Sequence, residues 1–96
     1  MLTLQETKDF LRVDGDDEDT LISSLIITAK VLTEDVLRRP LTEFEELPEP
    51  IRQAMLIIVG TLYEERQVSK DKTGVDIKET LDLVRQMLFG YRREKF

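Results

Sequence analysis

The sequence predicts an all-α fold, a small bundle of three principal helices preceded by a short N-terminal helix. Apolar residues recur at intervals of three and four along most of the 96-residue chain, which is the period of an amphipathic helix. Helix-start and helix-stop residues bound these segments, and no stretch alternates polar and apolar residues as a half-buried strand does. The length suits one domain, so we expect residues 1–96 to form a single helical unit.

The short helix begins at a capping-box pattern. Thr3 is followed three residues later by Glu6, and such a pair satisfies free backbone N–H groups at a helix start. The amphipathic segment that follows is short and ends near Val13. Gly15 then permits a turn, because glycine adopts backbone angles that other residues avoid.

The second helix is expected to run from about Asp17 to Arg38. Pro40 stops it, since the residue before a proline is pushed out of the helical region. The apolar positions of this segment follow helical spacing. They are Leu21, Ile22, Leu25, Ile26, Ala29, Leu32, Val36 and Leu37.

The third helix follows a connecting loop at residues 41–48. Pro50 fits its first turn, where a missing N–H costs nothing. Residues 51–67 are apolar on more than one side, which predicts a central helix that is covered by several neighbours. Residues 68–76 lack helical periodicity and carry Gly, Ser, Thr and mixed charge, which predicts a mobile loop between the last two helices.

The fourth helix has a second candidate capping pair, Asp76 and Glu79. Gly90 ends it, and residues 91–96 form a tail that mixes aromatic and basic side chains. Its main apolar positions are Ile77, Leu81, Val84 and Leu88.

The composition excludes several function classes. The chain has no His and no Cys, so the commonest general base, the thiolate nucleophile and the usual zinc ligands are missing. No glycine-rich phosphate loop is present, and we expect no enzymatic activity, no cofactor and no metal. The apolar runs are far shorter than the roughly 20 residues that span a bilayer, and the N-terminus lacks a signal-peptide layout, so we expect a cytosolic protein without a membrane partner.

The charge is negative overall and unevenly distributed. The net charge of −6 argues against general nucleic-acid binding, which depends on neutralising phosphates. Residues 1–50 hold 13 acids and 5 bases, whereas residues 51–96 hold 7 acids and 9 bases. Such an asymmetry can guide head-to-tail association, although solvated helix faces alone can also produce it.

Residues 14–19, DGDDED, resemble a calcium loop, a catalytic carboxylate cluster or a helix start. An EF-hand loop would need glycine at its sixth position and glutamate at its twelfth, where the chain has Asp19 and Leu25. Nothing nearby offers the apolar setting that raises the pKa of a catalytic carboxyl group. The segment therefore favours a helix start in which Asp16 or Asp17 caps the second helix.

Two basic segments are candidate partner contacts. Arg38 and Arg39 could bind phosphate or carboxylate, or they could simply complement the negative end of the second helix. The tail residues Tyr91, Arg92 and Arg93 could dock on a partner, or they could be frayed and solvated like many chain termini.

Apolar residues outside the main stripes are a further candidate interface. Ile27, Val31 and Val59 lie off the expected core positions, and several such residues on a small domain suggest a contact between subunits. Tyr63 could be an interface anchor or a half-buried core tyrosine.

Four segments together resemble the head–tail connector family of tailed bacteriophages and prophages. They are LTLQETKDFLRVDGDDEDTLISSLIITAK, RPL, LPEPIRQAMLIIVGTLYEERQ and LDLVRQMLFGYR. The likeness runs in order over nearly the whole chain and is weakest at residues 42–47 and 68–76. One departure is RRPL, where a glycine is expected before RPL, and this leaves the helix break to Pro40.

The resemblance implies a structural, non-enzymatic protein of the virion, found at the head–tail junction and in the host cytoplasm during assembly. Its implied partners are the portal protein, a downstream neck or tail-completion protein, and itself, in a ring of about a dozen copies closed by one repeated interface. DNA would pass through the channel without sequence-specific binding. A rival interpretation is a small acidic regulatory module of the inhibitor or antitoxin kind.

Overall fold

The computed structural model describes residues 2–67 and 77–92. Within these ranges the chain forms four α-helices and no strand, which confirms the expected all-α bundle. The elements are α1 (Leu4–Leu11), α2 (Asp19–Leu37), α3 (Glu49–Gln67) and α4 (Ile77–Met87), with 3-10 turns at Leu41–Glu43 and Phe89–Tyr91. The predicted mobile loop at residues 68–76 lies outside the described residues.

Helix α1 begins with the predicted capping box. The Glu6 N–H donates to Thr3 Oγ1 at 3.1 Å, and the Thr3 N–H donates to Glu6 Oε2 at 2.7 Å. The helix ends at Leu11, because Arg12 adopts the left-handed conformation with φ of 61°. Gly15, with φ of 82°, makes the expected turn.

Helix α2 begins at Asp19, and the prediction that Asp16 or Asp17 caps it is wrong. The N-cap residue is Glu18, and no described side chain makes a capping hydrogen bond there. The backbone turns instead through a hydrogen bond from the Asp19 N–H to the Asp16 carbonyl oxygen at 3.2 Å. The carboxylates of Asp16 and Asp19 pair instead with Lys8 of α1, at 3.6 Å and 2.7 Å from its Nζ.

Helix α2 ends at Leu37 with a second left-handed residue. Arg38 has φ of 61°, and its N–H donates to the Glu34 carbonyl oxygen at 2.8 Å. Glu34 Oε2 in turn accepts from the Leu41 N–H at 2.8 Å, which fixes the chain after the helix. The break therefore occurs at Arg38, before Pro40, at the position where a glycine was expected.

Helix α3 is central, as its apolar pattern predicted, and packs against α1, α2 and α4. Val59 belongs to this core with 0% of its surface exposed, so its assignment to a surface interface is wrong. The helix buries apolar side chains around most of its circumference, and a side chain off the main stripe therefore still meets a neighbouring helix. Fully buried core residues include Ile22, Leu37, Ile51, Met55, Ile58, Val84 and Leu88.

Polar contacts fix the outer helices on α3. Arg52 Nη1 lies 2.6 Å from Glu6 Oε1 of α1, and Arg52 Nη2 lies 2.6 Å from Glu49 Oε2. The hydrogen bonds from Arg52 lower the pKa of Glu49 to about 2. The Ile77 N–H, at the start of α4, donates to Glu65 Oε2 at 2.9 Å.

None of the described helices combines the length and apolarity needed to cross a membrane.

Candidate functional site

The acidic segment at residues 14–19 lies against a nearly buried lysine. Lys8 Nζ is 2.7 Å from Asp19 Oδ1 and 3.6 Å from Asp16 Oδ1. The hydrogen bond with Asp19 is the main cause of a raised pKa for Lys8. Sequence reasoning missed Lys8, because one lysine on an amphipathic helix carries no sign of its tertiary partner. These contacts join α1 to the start of α2.

Tyr63 makes a second internal contact with the same segment. Its hydroxyl group donates to Glu18 Oε1 at 2.5 Å and so links the start of α2 to the far part of α3. This hydrogen bond is also the main cause of a raised pKa for Tyr63. Asp14 and Asp17 remain exposed, and residues 14–17 are named the acidic loop below. Within the described ranges, no three His, Cys, Asp or Glu side chains converge in a way that could hold a metal ion.

Arg39 and Tyr91 contact each other inside the subunit. Arg39 Nη1 donates to the Tyr91 carbonyl oxygen at 3.3 Å, and its Nε donates to Glu43 Oε1 at 3.0 Å. The guanidinium group lies 4.3 Å from the ring centre of Phe44, and that ring meets Tyr91 edge-on at 6.4 Å. The first residue of the predicted tail is therefore anchored to the chain that follows α2, and Arg93 lies outside the described residues.

A polar pocket of about 260 Å³ brings three arginines together. Arg38 follows α2, Arg85 is on α4 and Arg92 follows the last 3-10 turn. Asp35 and Val36 complete the lining, and this group of five residues is named the arginine pocket. Sequence reasoning proposed Arg38 and Arg92 separately but missed Arg85, because only the tertiary fold, in which α4 packs on α3, brings it to the same pocket as Arg38.

The outer side of α2 has an uncharged face. Ile27 is 61% exposed and Val31 is 58% exposed, so both lie at the surface as expected from the sequence. Every exposed residue of α2 from position 20 to position 31 is uncharged, in a chain of which 35% of the residues are charged. The six residues of this face are Thr20, Ser23, Ser24, Ile27, Thr28 and Val31.

Two further exposed apolar side chains were not predicted from the sequence. Phe89 is 70% exposed beside α4, and Leu83 of α4 is also exposed. Leu83 lay beside the predicted apolar stripe, and Phe89 lies in the turn that follows the helix, where periodicity gives no information.

A depression of about 360 Å³, lined by Lys30 together with residues of the 41–47 segment, lies near α2.

The fold and these surfaces define a class: a small all-helical protein with an acidic loop before α2, an arginine pocket after it and one uncharged exposed face between them. The family model for the phage gp6-like head-tail connector protein matches residues 1–94 of the 96. The chain therefore belongs to this family, which confirms the resemblance seen in the sequence. Membership makes it a structural protein of the phage particle, located at the connection of head and tail. Neither the curated proteins nor the solved structures gave a significant match.

Proposed function

We propose that the protein is a connector subunit that assembles into a ring beneath the portal, joins the head to the tail and extends the DNA channel. The uncharged face of α2 carries this proposal. Interface cores are depleted of charged residues, whereas solvated helix faces of a highly charged protein are rich in them. A helix of 19 residues that exposes only hydroxyl-bearing and apolar side chains over most of its length is suited to burial by another chain.

Partners follow from the same proposal. The ring contains copies of this chain, the portal binds one side of it, and a neck or tail-completion protein binds the other. The net charge of −6 suits a channel that DNA crosses without sequence-specific binding, because an acidic wall repels phosphates. Residues 68–76 or the tail at 91–96 are the proposed portal contact; because Tyr91 and Arg92 contact their own subunit, residues 93–96 are the part of the tail assigned to it. A small acidic regulatory module has weaker support, since the family match covers nearly the whole chain.

The test is a mass measurement of the purified protein, alone and with the portal protein of the same phage. We expect a multiple of the 11.2 kDa subunit mass on the portal. Replacing Ile27 and Val31 with glutamate should abolish the assembly, because it would bury two unpaired carboxylates. Gln86→Glu adds one negative charge at an exposed position of α4 and serves as the control for the single variant Ile27→Glu. A protein that stays monomeric and ignores the portal contradicts the proposal.

A further inference from the structure

The arginine pocket has the chemistry of a site for a carboxylate or another oxyanion. Arg38, Arg85 and Arg92 line it against a single acidic residue, Asp35. Arg85 also pairs along its own helix with Asp82 at 2.9 Å, in an exposed contact that contributes little. Guanidinium groups repel one another, and their planar N–H donors match the two oxygens of a carboxylate.

An unpaired donor in the pocket indicates a missing acceptor. Arg92 Nε is buried and has no hydrogen-bond partner among residues 2–67 and 77–92, although a buried donor is costly when it is left unpaired.

The acidic loop offers the complementary charge at the other end of the same helix. Its exposed carboxylates, Asp14 and Asp17, precede α2, whereas Arg38 follows it. At 1.5 Å per residue, the ends of this helix of 19 residues are about 27 Å apart. A subunit therefore cannot place its own acidic loop in its own pocket, but a second copy of the chain can.

We propose that the arginine pocket binds the acidic loop of a second copy of this chain. This inference rests on the proposed function, and it identifies the surfaces of the contact between subunits. The contact is heterologous, since one subunit uses residues before α2 and the next uses residues after it. A contact of this type repeats from copy to copy and closes into a ring when the rotation permits.

The cysteine-free chain allows a direct test by cross-linking. Asp14→Cys leaves Asp17 in the acidic loop, and Asp35→Cys leaves the three arginines in the pocket. With a short thiol-to-thiol cross-linker, a mixture of the two single variants should give covalent dimers. The double variant should give a ladder of multiples, and each single variant alone should give neither product. Glu45→Cys, an exposed acidic position of another loop, replaces Asp14→Cys in the control mixture and should not cross-link.

Charge reversal tests whether the arginines make the contact. Arg85→Glu with Arg92→Glu should reduce the cross-linked fraction at least tenfold, which corresponds to about 1.4 kcal/mol. Asp14→Lys with Asp17→Lys should reduce the cross-linked fraction by a similar factor. A mixture of subunits with the charge-reversed pocket and subunits with the charge-reversed acidic loop should cross-link again. Because Asp14 is itself replaced in the loop variant, the two cysteines are placed in these experiments at other exposed positions beside the acidic loop and the arginine pocket. Circular dichroism verifies that each variant keeps its helices.

The outcomes separate this inference from the proposed function. Cross-linking is measured with the protein by itself at high concentration and with the protein added to purified portal. Absence of the ladder under both conditions overturns the inference. If rings form on the portal but no cross-linked ladder appears, the proposed function is supported and this contact is wrong. If the ladder appears but the protein does not bind the portal, the contact is supported and the proposed function is wrong. If the pocket variants lose binding of duplex DNA while the ladder persists, the occupant is a phosphate and the inference is wrong.

Discussion

Replacing Arg38 with glycine is expected to stabilise the subunit while weakening the contact proposed for the arginine pocket. Arg38 has φ of 61° and ψ of 33°, and this conformation costs a residue with a side chain about 1–2 kcal/mol. Glycine avoids that cost but loses about 0.5–1 kcal/mol more conformational entropy on folding. The substitution also removes a cation near the negative end of α2, at a cost of about 0.3 kcal/mol for an exposed site.

The balance of these contributions is a stabilisation of about 0.5 kcal/mol, which raises the melting temperature by about 2–4 °C for a domain of this size. Thermal unfolding followed by far-ultraviolet circular dichroism, which reports helix content, measures the shift. Arg38→Ala loses the same side chain but keeps the backbone strain, so it should not stabilise the subunit.

Arg12→Gly is the matched control for the same prediction. Arg12 also has φ of 61° at a helix end, and it is not among the residues that line the arginine pocket. It should give a similar rise in melting temperature and leave the cross-linking ladder unchanged, whereas Arg38→Gly should weaken the ladder. A fall in melting temperature for both glycine variants would refute the argument from backbone strain. Equal ladders for both would refute the role of the Arg38 side chain.

Four further predictions concern stability. Ile58→Ala should cost about 2–5 kcal/mol in the free energy of unfolding, because it opens a cavity in the core beside α3. Thr3→Ala should cost about 1 kcal/mol, since it removes half of the capping box of α1. The pKa of Glu49 is lowered to about 2 by Arg52, so its stabilising contribution is complete above pH 4.5 and is lost as the pH falls through 2. The pKa of Lys8 is raised above 10.5, so its contribution is complete below pH 10.5 and is lost as the pH rises through the higher value.

Denaturant unfolding measures all four, and each has a conservative control. Ile58→Val should cost only about 0.5–1.5 kcal/mol, and Thr3→Ser should keep the cap. Glu49→Gln should reduce the loss of the free energy of unfolding at acid pH, and Lys8→Met should reduce its loss at alkaline pH. Acid and alkaline limbs that are the same in these variants as in the original chain would contradict the two pH predictions.

The sequence predicted the four helices because their apolar periodicity and the Thr3–Glu6 box are local patterns. The helix ends were less predictable. Arg12 and Arg38 adopt conformations that usually require glycine, so no residue type signalled either end. Val59 was misplaced because a single apolar stripe underestimates the buried surface of a helix that has neighbours on several sides.

The candidate surfaces were predictable in part. Ile27 and Val31 are exposed as expected, because they fall on the side of α2 that points away from α3. The arginine pocket was not predictable as a unit, since Arg38 and Arg85 are far apart in the chain and meet only through packing. The pairing of Lys8 with the acidic segment has the same explanation, because ion pairs between helices leave no spacing pattern in the sequence.

The uncharged face of α2 has a consequence for the conditions under which the chain can associate. None of its six residues titrates in the physiological range, and Lys30 at its border is partly buried. A contact on this face therefore responds little to salt or pH, whereas charged contacts at the ends of α2 weaken as the Debye length shrinks to about 8 Å at physiological ionic strength. Ionic strength should thus govern how fast two copies meet, and the hydroxyl and methyl groups of α2 should govern how long they stay together.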